Sequence, residues 1–259
     1  MKKRAHIFKG LKAPLAAAAV VFAATLVLSA PLSIVSSFVD FERQGIAYSS
    51  AEGTIWNGVF TDLTARGAPL GDVSFRLSSL SVLAAAPAIS FQARGGAVIG
   101  EGRLTIGPGQ KVRLANVSAD VRLGLVAPRG VFGEPARGVA RVDIERIEFS
   151  RARGCAAAAG NLWTDVLDAP AKRFNLPAMP MTGAFACEGD RLLVTLSGAN
   201  ERAAADVTLA VDRSLAYEII ATARPSEEGL ASALRGFGFE DDNGALTYGS
   251  AGVFTGTGS

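Results

Sequence analysis

Histidine is almost absent from this chain: 259 residues contain one, His6, close to the start. Everything downstream therefore lacks imidazole as a general base, a metal ligand or a triad member. No glycine loop of the phosphate-cradling kind occurs, and no dinucleotide fingerprint opens a helix. Asp143 and Glu145 share one strand face, but Arg141 and Arg146 flank them, which reads as a solvated face. Asp241 and Asp242 read as a turn. No catalytic residue, cofactor, metal or small-molecule substrate is expected, and the chain does not read as an enzyme.

A basic patch is also missing. The formal net charge is +2 and the isoelectric point 8.7. Lys2, Lys3, Arg4, Lys9 and Lys12 all precede the first acidic residue, and without them the balance is −3. The basicity therefore belongs to an N-terminal tail, and nucleic acid is not an expected partner.

What the chain does have is a run of 27 uncharged residues, Ala13 to Val39. At roughly 1.5 Å per residue a helix of that length covers about 40 Å, enough to cross a bilayer with tilt. Pro14 and Pro31 sit near its two ends. The cations before it set the orientation: residues 1–12 cytoplasmic, residues 40–259 exported to the periplasm. A cleaved signal peptide is the alternative, with "LSA" at 28–30 as its cleavage site. The apolar run exceeds the 7–15 residues usual for such a segment, which favours an uncleaved anchor over 13–39.

Beyond the anchor the pattern is mainly β, read as a mostly antiparallel, twisted sheet or sheets in one exported domain. "VSFRL" (73–77), "ISFQA" (89–93) and "GAVIGEGRLTIG" (96–107) alternate with period two. In "KVRLANVSADVRLGL" the apolar parity changes after Leu114, so a bulge is expected near Asn116. "VARVDIERIEF" changes phase in the same way around Glu145–Arg146. Hairpins are expected over 183–198, turning at Glu188–Asp190, and over 204–225, turning at Asp212–Ser214. Two similar β halves, 51–128 and 138–252, form a weak internal repeat sharing one core. "SEEGLASALRGFG" is the one short amphipathic helix, with Ser226 as its expected cap, and "ALTYGSAGV" is a last strand. The stretch 156–180 reads as a short element around Trp163 followed by a Pro-rich loop.

The two cysteines, Cys155 and Cys187, both fall in the exported part, and in an oxidising compartment an even pair reads as a disulfide. Near the start of that part stands "AEGTIWNGVF" (51–60), with Trp56 between Gly53 and Gly58. The glycines suit a tight strand pair or a close approach. Trp56 suits the end of the β core, or a surface that meets a partner.

The order of these features, basic tail, anchor, exported β domain, then "GTIWNGVF", resembles the type II secretion system protein N family (GspN). Further similar segments are "GAVIGEGRLTIGPGQKVRLANVSADV", "GDRLLVTLSG", "ADVTLAVDRSLAYEIIATARP" and "GLASALRGFGFEDDNGALTYGSAG". The resemblance covers roughly residues 10–252. It implies an accessory inner-membrane component of the machinery that exports folded proteins across the outer membrane. That role is structural, with the membrane and other inner-membrane or periplasmic components as partners and no catalytic residues. The alternative is a lipid-handling module, because a twisted sheet with one apolar face can curl into a groove for acyl chains.

Overall fold

The computed structural model describes residues 29–126, 137–214 and 216–253, apart from positions 39, 42, 44 and 174, together with Thr25. The basic tail, including Lys2, Lys3, Arg4, Lys9 and Lys12, and most of the expected anchor lie outside the described residues. Among the described residues no helix is long and apolar enough to cross a membrane.

One antiparallel sheet contains every named strand. Its first part is β1 (Ile46–Ala47), β2 (Ser50–Thr54), β3 (Asn57–Ala65), β4 (Ala68–Leu77), β5 (Ala88–Gly95), β6 (Val98–Gly107), β7 (Lys111–Arg122), β8 (Val139–Ser150) and β9 (Gly154–Thr164). The second part is β10 (Met181–Glu188), β11 (Arg191–Ala199), β12 (Ala203–Val211), β13 (Ala216–Pro225), β14 (Glu240–Asp242) and β15 (Ala245–Val253). From β3 to β13 each strand pairs with its sequence neighbours, and β15 then pairs β13 with β14 outside it; β1 and β2 share the free side of β3. Both edges are blunted as an unpaired ladder requires. One ends in the two-residue β1, the other in the all-acidic, exposed "EDD" of β14.

Directly opposed residues share a face, so the register defines the two surfaces. One row runs from Phe60 through Val73, Ala93 and Gly100, and ends at Val207, Ala221 and Tyr248. This face is apolar throughout, and Ala93, Ile144, Ile147 and Val194 on it are buried. The opposite face carries cross-strand ion pairs: Arg113–Glu148 at 2.8 Å, Arg141–Asp120 at 3.0 Å and Arg224–Asp206 at 2.8 Å. The Arg113 guanidinium holds the Glu148 carboxyl below its ordinary range, and the Ser197 hydroxyl, then the Arg224 guanidinium, do the same for Asp206.

The phase changes read from the sequence are in place. Asn116 adopts φ 51° and stands opposite Glu145, so β7 and β8 bulge together and keep their mutual register. Each slips by one residue against its outer neighbour, β6 or β9. Leu114 and Val117 thus stay on the apolar face with Ile147 and Ile144.

The sheet curls. Arg213 in the β12–β13 turn donates to the carbonyl of Arg151 in the β8–β9 turn at 3.1 Å. A flat sheet would hold those turns about 19 Å apart, at roughly 4.8 Å per strand. Three phenylalanines cover glycines on the facing strand of the apolar surface: Phe75 over Gly58, Phe91 over Gly102 and Phe185 over Gly160.

Helices cover the two ends of that surface. At the N-terminal end α1 (Leu32–Phe38) lies against β2, and Phe41, Tyr48, Phe60 and Phe75 form a chain of ring contacts with centroids 5.1–6.1 Å apart. The short helices α2 (Ser79–Leu83), α3 (Leu123–Val126) and α4 (Asp168–Arg173) lie in connections. At the C-terminal end α5 (Glu228–Gly236) places Ala231 and Leu234 on Ala223, Leu246 and Phe239. Its cap is Glu227, with no side-chain capping bond, in place of the expected Ser226.

Gly58 also makes room for the N-terminal helix. A Cβ there would stand 2.6 Å from Leu32 Cδ2 and 2.8 Å from the Glu52 carbonyl. Gly58→Ala is therefore expected to destabilise the domain by about 1–3 kcal/mol, the usual cost of overpacking. Gly249→Ala meets nothing within 4 Å and is expected to leave the unfolding midpoint unchanged or slightly raised. Chemical denaturation of the two variants side by side checks the contrast.

Candidate functional site

The first hairpin of the sheet and the part of the apolar run that meets it form the first candidate. "EGTIWNG" folds as the β2–β3 hairpin, with Gly53 opposite Gly58 and Thr54 opposite Asn57. Ile55 and Trp56 are the two turn residues. Neither has positive φ; the left-handed conformation is carried by Gly53, at φ 93°. Thr54 Oγ1 accepts from the backbone N–H groups of Trp56 and Asn57, both at 3.3 Å, and so ties the turn.

The last third of the apolar run is bound to this turn. Ile55 N–H donates to the Ala30 carbonyl at 3.2 Å, and Pro31 forms a bridge with Thr54. Leu32, 6% exposed, then packs over Gly58. The expected end of the anchor, Leu32–Phe38, is thus a helix resting on the sheet. Trp56 is half-buried at the hairpin tip, while Leu32 packs on Gly58 and Phe60 stacks on Phe75. The pairing of Gly53 with Gly58 was legible from their spacing; the docking of Leu32 on Gly58 was not, because it depends on where the preceding chain turns back.

The second candidate is the seam between β9 and β10. Neighbouring strands elsewhere pair over most of their length, but this ladder runs only from Met181↔Thr164 to Ala184↔Asn161. The sheet is narrowest here, not across the 128–138 connection, whose flanking strands β7 and β8 pair from Arg122↔Val139 onward. Where the ladder stops, the Cys155–Cys187 disulfide bridges the strands, with Cα atoms 5.6 Å apart, and Cys155 N–H donates to the Asp190 carbonyl at 2.8 Å. At the other end of the seam, residues 165–180 cross over through α4. Trp163 lies on the polar face of β9, with the Arg141 guanidinium 5.9 Å from its ring.

That crossover builds the third candidate, a cavity of about 130 Å³ between α4, α5 and strands β12 and β13. Its walls are almost entirely apolar, including Leu167, Met179, Ala205, Val207, Leu234 and Phe239. A space of that size accepts a benzene-sized apolar group. Nothing local in the sequence announces it, since its walls come from four separate elements.

No group of three or more potential metal-ligating side chains occurs among the described residues. Asp143 accepts from the Ser118 hydroxyl at 2.8 Å on the solvated face. Asp241 and Asp242 belong to β14, and Asp241 is paired with Arg235.

The family model for type II secretion system (T2SS), protein N, matches residues 44–248. The chain belongs to this family. No curated protein and no solved structure matches it. The matched span runs from just before β1 into β15, so membership rests on the whole sheet and associates the chain with type II secretion.

The seam generates a direct test. A disulfide closing about 33 residues contributes roughly 3–4 kcal/mol on the chain-entropy account, a large share of a usual stability of about 5–15 kcal/mol. Replacing either cysteine, as C155S or C187S, is expected to lower the melting temperature and to open residues 165–180 to protease while the strands persist. Limited proteolysis with thiol counting in denaturant checks this: the wild type made in an oxidising compartment should show no free thiol.

Proposed function

We propose that this protein is an accessory inner-membrane component of the type II secretion machinery, acting through contacts and not catalysis. In this reading the basic tail is cytoplasmic, a single crossing follows, and the curled sheet stands in the periplasm. It touches other inner-membrane or periplasmic components of the machine. The observation that carries the proposal is the junction at Ala30–Leu32, taken together with family membership. The uncharged run does not lead into a loose linker: its last residues are hydrogen-bonded and packed onto the first hairpin. Residues 13–30 remain for the crossing, about 27 Å as helix at roughly 1.5 Å per residue, close to the hydrocarbon thickness of about 30 Å. A sheet so held is oriented relative to the membrane, as a docking module requires.

The cavity between α4 and α5 supports a second reading, a periplasmic lipid-handling module that seats the tip of an acyl chain there. The two readings separate by native mass spectrometry of the full chain. Phospholipid that stays bound, and is lost when Ala205→Phe fills the cavity, supports the lipid module; a lipid-free protein leaves the scaffold.

For the primary reading, deletion of the gene is expected to lower secretion of a folded exoprotein. The periplasmic level of that exoprotein should stay normal or rise, and the intact chain should restore export. An unchanged secretome across growth conditions would overturn the assignment.

A further inference from the structure

The antiparallel order assigns each turn to one of two ends of the sheet. The Trp56 turn, the β4–β5 connection containing α2 and the β6–β7, β8–β9 and β12–β13 turns all lie at one end. The β3–β4 turn, α4, α5 and the turn before β15 lie at the other. Leu77 N–H donates to the Trp56 carbonyl at 2.8 Å, so α2 emerges directly beside the hairpin to which Ala30 and Pro31 are tied.

The β4–β5 connection is unusual for a surface loop. No charged residue occurs between Arg76 and Arg94. Ser78 caps α2, and that helix turns Leu80 and Leu83 outward, at 77% and 84% exposure, with Val82 at 39%. Contiguous exposed apolar side chains on a folded domain mark a contact surface.

The turns at the α2 end carry Lys111, Arg151, Arg153 and Arg213, alongside Asp190 and Asp212, and Asp212 is engaged by its own turn through Ser214 and Ala216. At the opposite end Glu227, Glu228 and Asp241 are paired with Arg202 and Arg235, and Arg66, Lys172 and Arg173 stand among its turns, so that end is of mixed charge.

We propose that the α2 end of the sheet lies in the interfacial zone of the bilayer, with Leu80, Val82 and Leu83 entering the headgroup–acyl boundary. Trp56 sits beside them, and the cationic turns face anionic headgroups. The occupant follows from position: the charge-free run meets the sheet at this end from Ala30 onward, so a membrane crossed by residues 13–30 lies next to α2. An amphipathic aromatic ring at that level and apolar side chains below it are the usual interfacial arrangement. The inference rests on the anchor reading above; it adds that a second surface of the domain, remote in sequence from the anchor, fixes the domain on the membrane.

The test uses the full chain in vesicles of phosphatidylethanolamine and phosphatidylglycerol whose acyl chains are brominated, with tryptophan emission as the readout. The chain has two tryptophans, Trp56 and Trp163. W56F leaves Trp163, near the far end of β9, as the lone reporter; W163F leaves Trp56; L83W in the doubly substituted background reports on α2. Flotation of each variant with the vesicles at alkaline pH is measured in parallel. Expected are flotation of all three, about a twofold loss of emission for the L83W reporter and for Trp56, and none for Trp163. Flotation with no quenching at either α2-end reporter overturns the membrane-facing surface while leaving the anchor. Equal quenching of all three overturns the orientation. Failure to float overturns the anchor reading and this inference together.

Discussion

The structure depends on one constraint: a single sheet with one apolar face and no second sheet to cover it. Burial of apolar area drives folding at about 25 cal/mol per Å², and here the sheet must supply that burial for itself. It does so by curling, as the contact between the β8–β9 and β12–β13 turns shows. Phenylalanine rings occupy the space over facing glycines at Gly58, Gly102 and Gly160, where a side chain would otherwise stand. Helices then close only the two extremities. Among the described residues the most deeply buried large side chains are far apart: Met181 beside the seam, Leu246 and Phe239 under α5, and Leu32 at the N-terminal end. The interior is therefore thin and distributed along the sheet, not concentrated in one place.

A thin interior makes the weak ladder between β9 and β10 consequential. Only a short paired stretch joins the two parts, and the disulfide sits at the end where pairing fails. The crossover through α4 secures the other end, and its folding back over β12 and β13 leaves the apolar cavity. The covalent link and the cavity are thus two consequences of one interruption in the meander.

The N-terminal junction solves a different problem. A domain on a flexible tether samples all orientations, whereas a domain bonded at Ala30 and Pro31 and packed through Leu32 does not. For a component of a multi-protein secretion machine, fixed presentation of one face lowers the entropy lost on association. The polar face, laced by exposed cross-strand ion pairs each contributing at most about 1 kcal/mol, keeps the outer surface soluble and adds little to stability.

Period-two alternation by itself determined the strands, their faces and the phase changes at Asn116 and Glu145, because strand side chains alternate wherever one face is buried. The hairpins at Gly189 and Asp212 were equally legible, since turn chemistry is local. The disulfide between Cys155 and Cys187 was legible from there being two cysteines. Tertiary structure alone decided that all strands join one sheet, that Leu32 belongs to the domain, and that Trp56 stands at a turn. It also decided that α2 projects beside that turn and that α4 and α5 enclose a cavity. Each of these depends on residues far apart in sequence coming together, and the curl of the sheet that brings them together is not encoded in any local pattern.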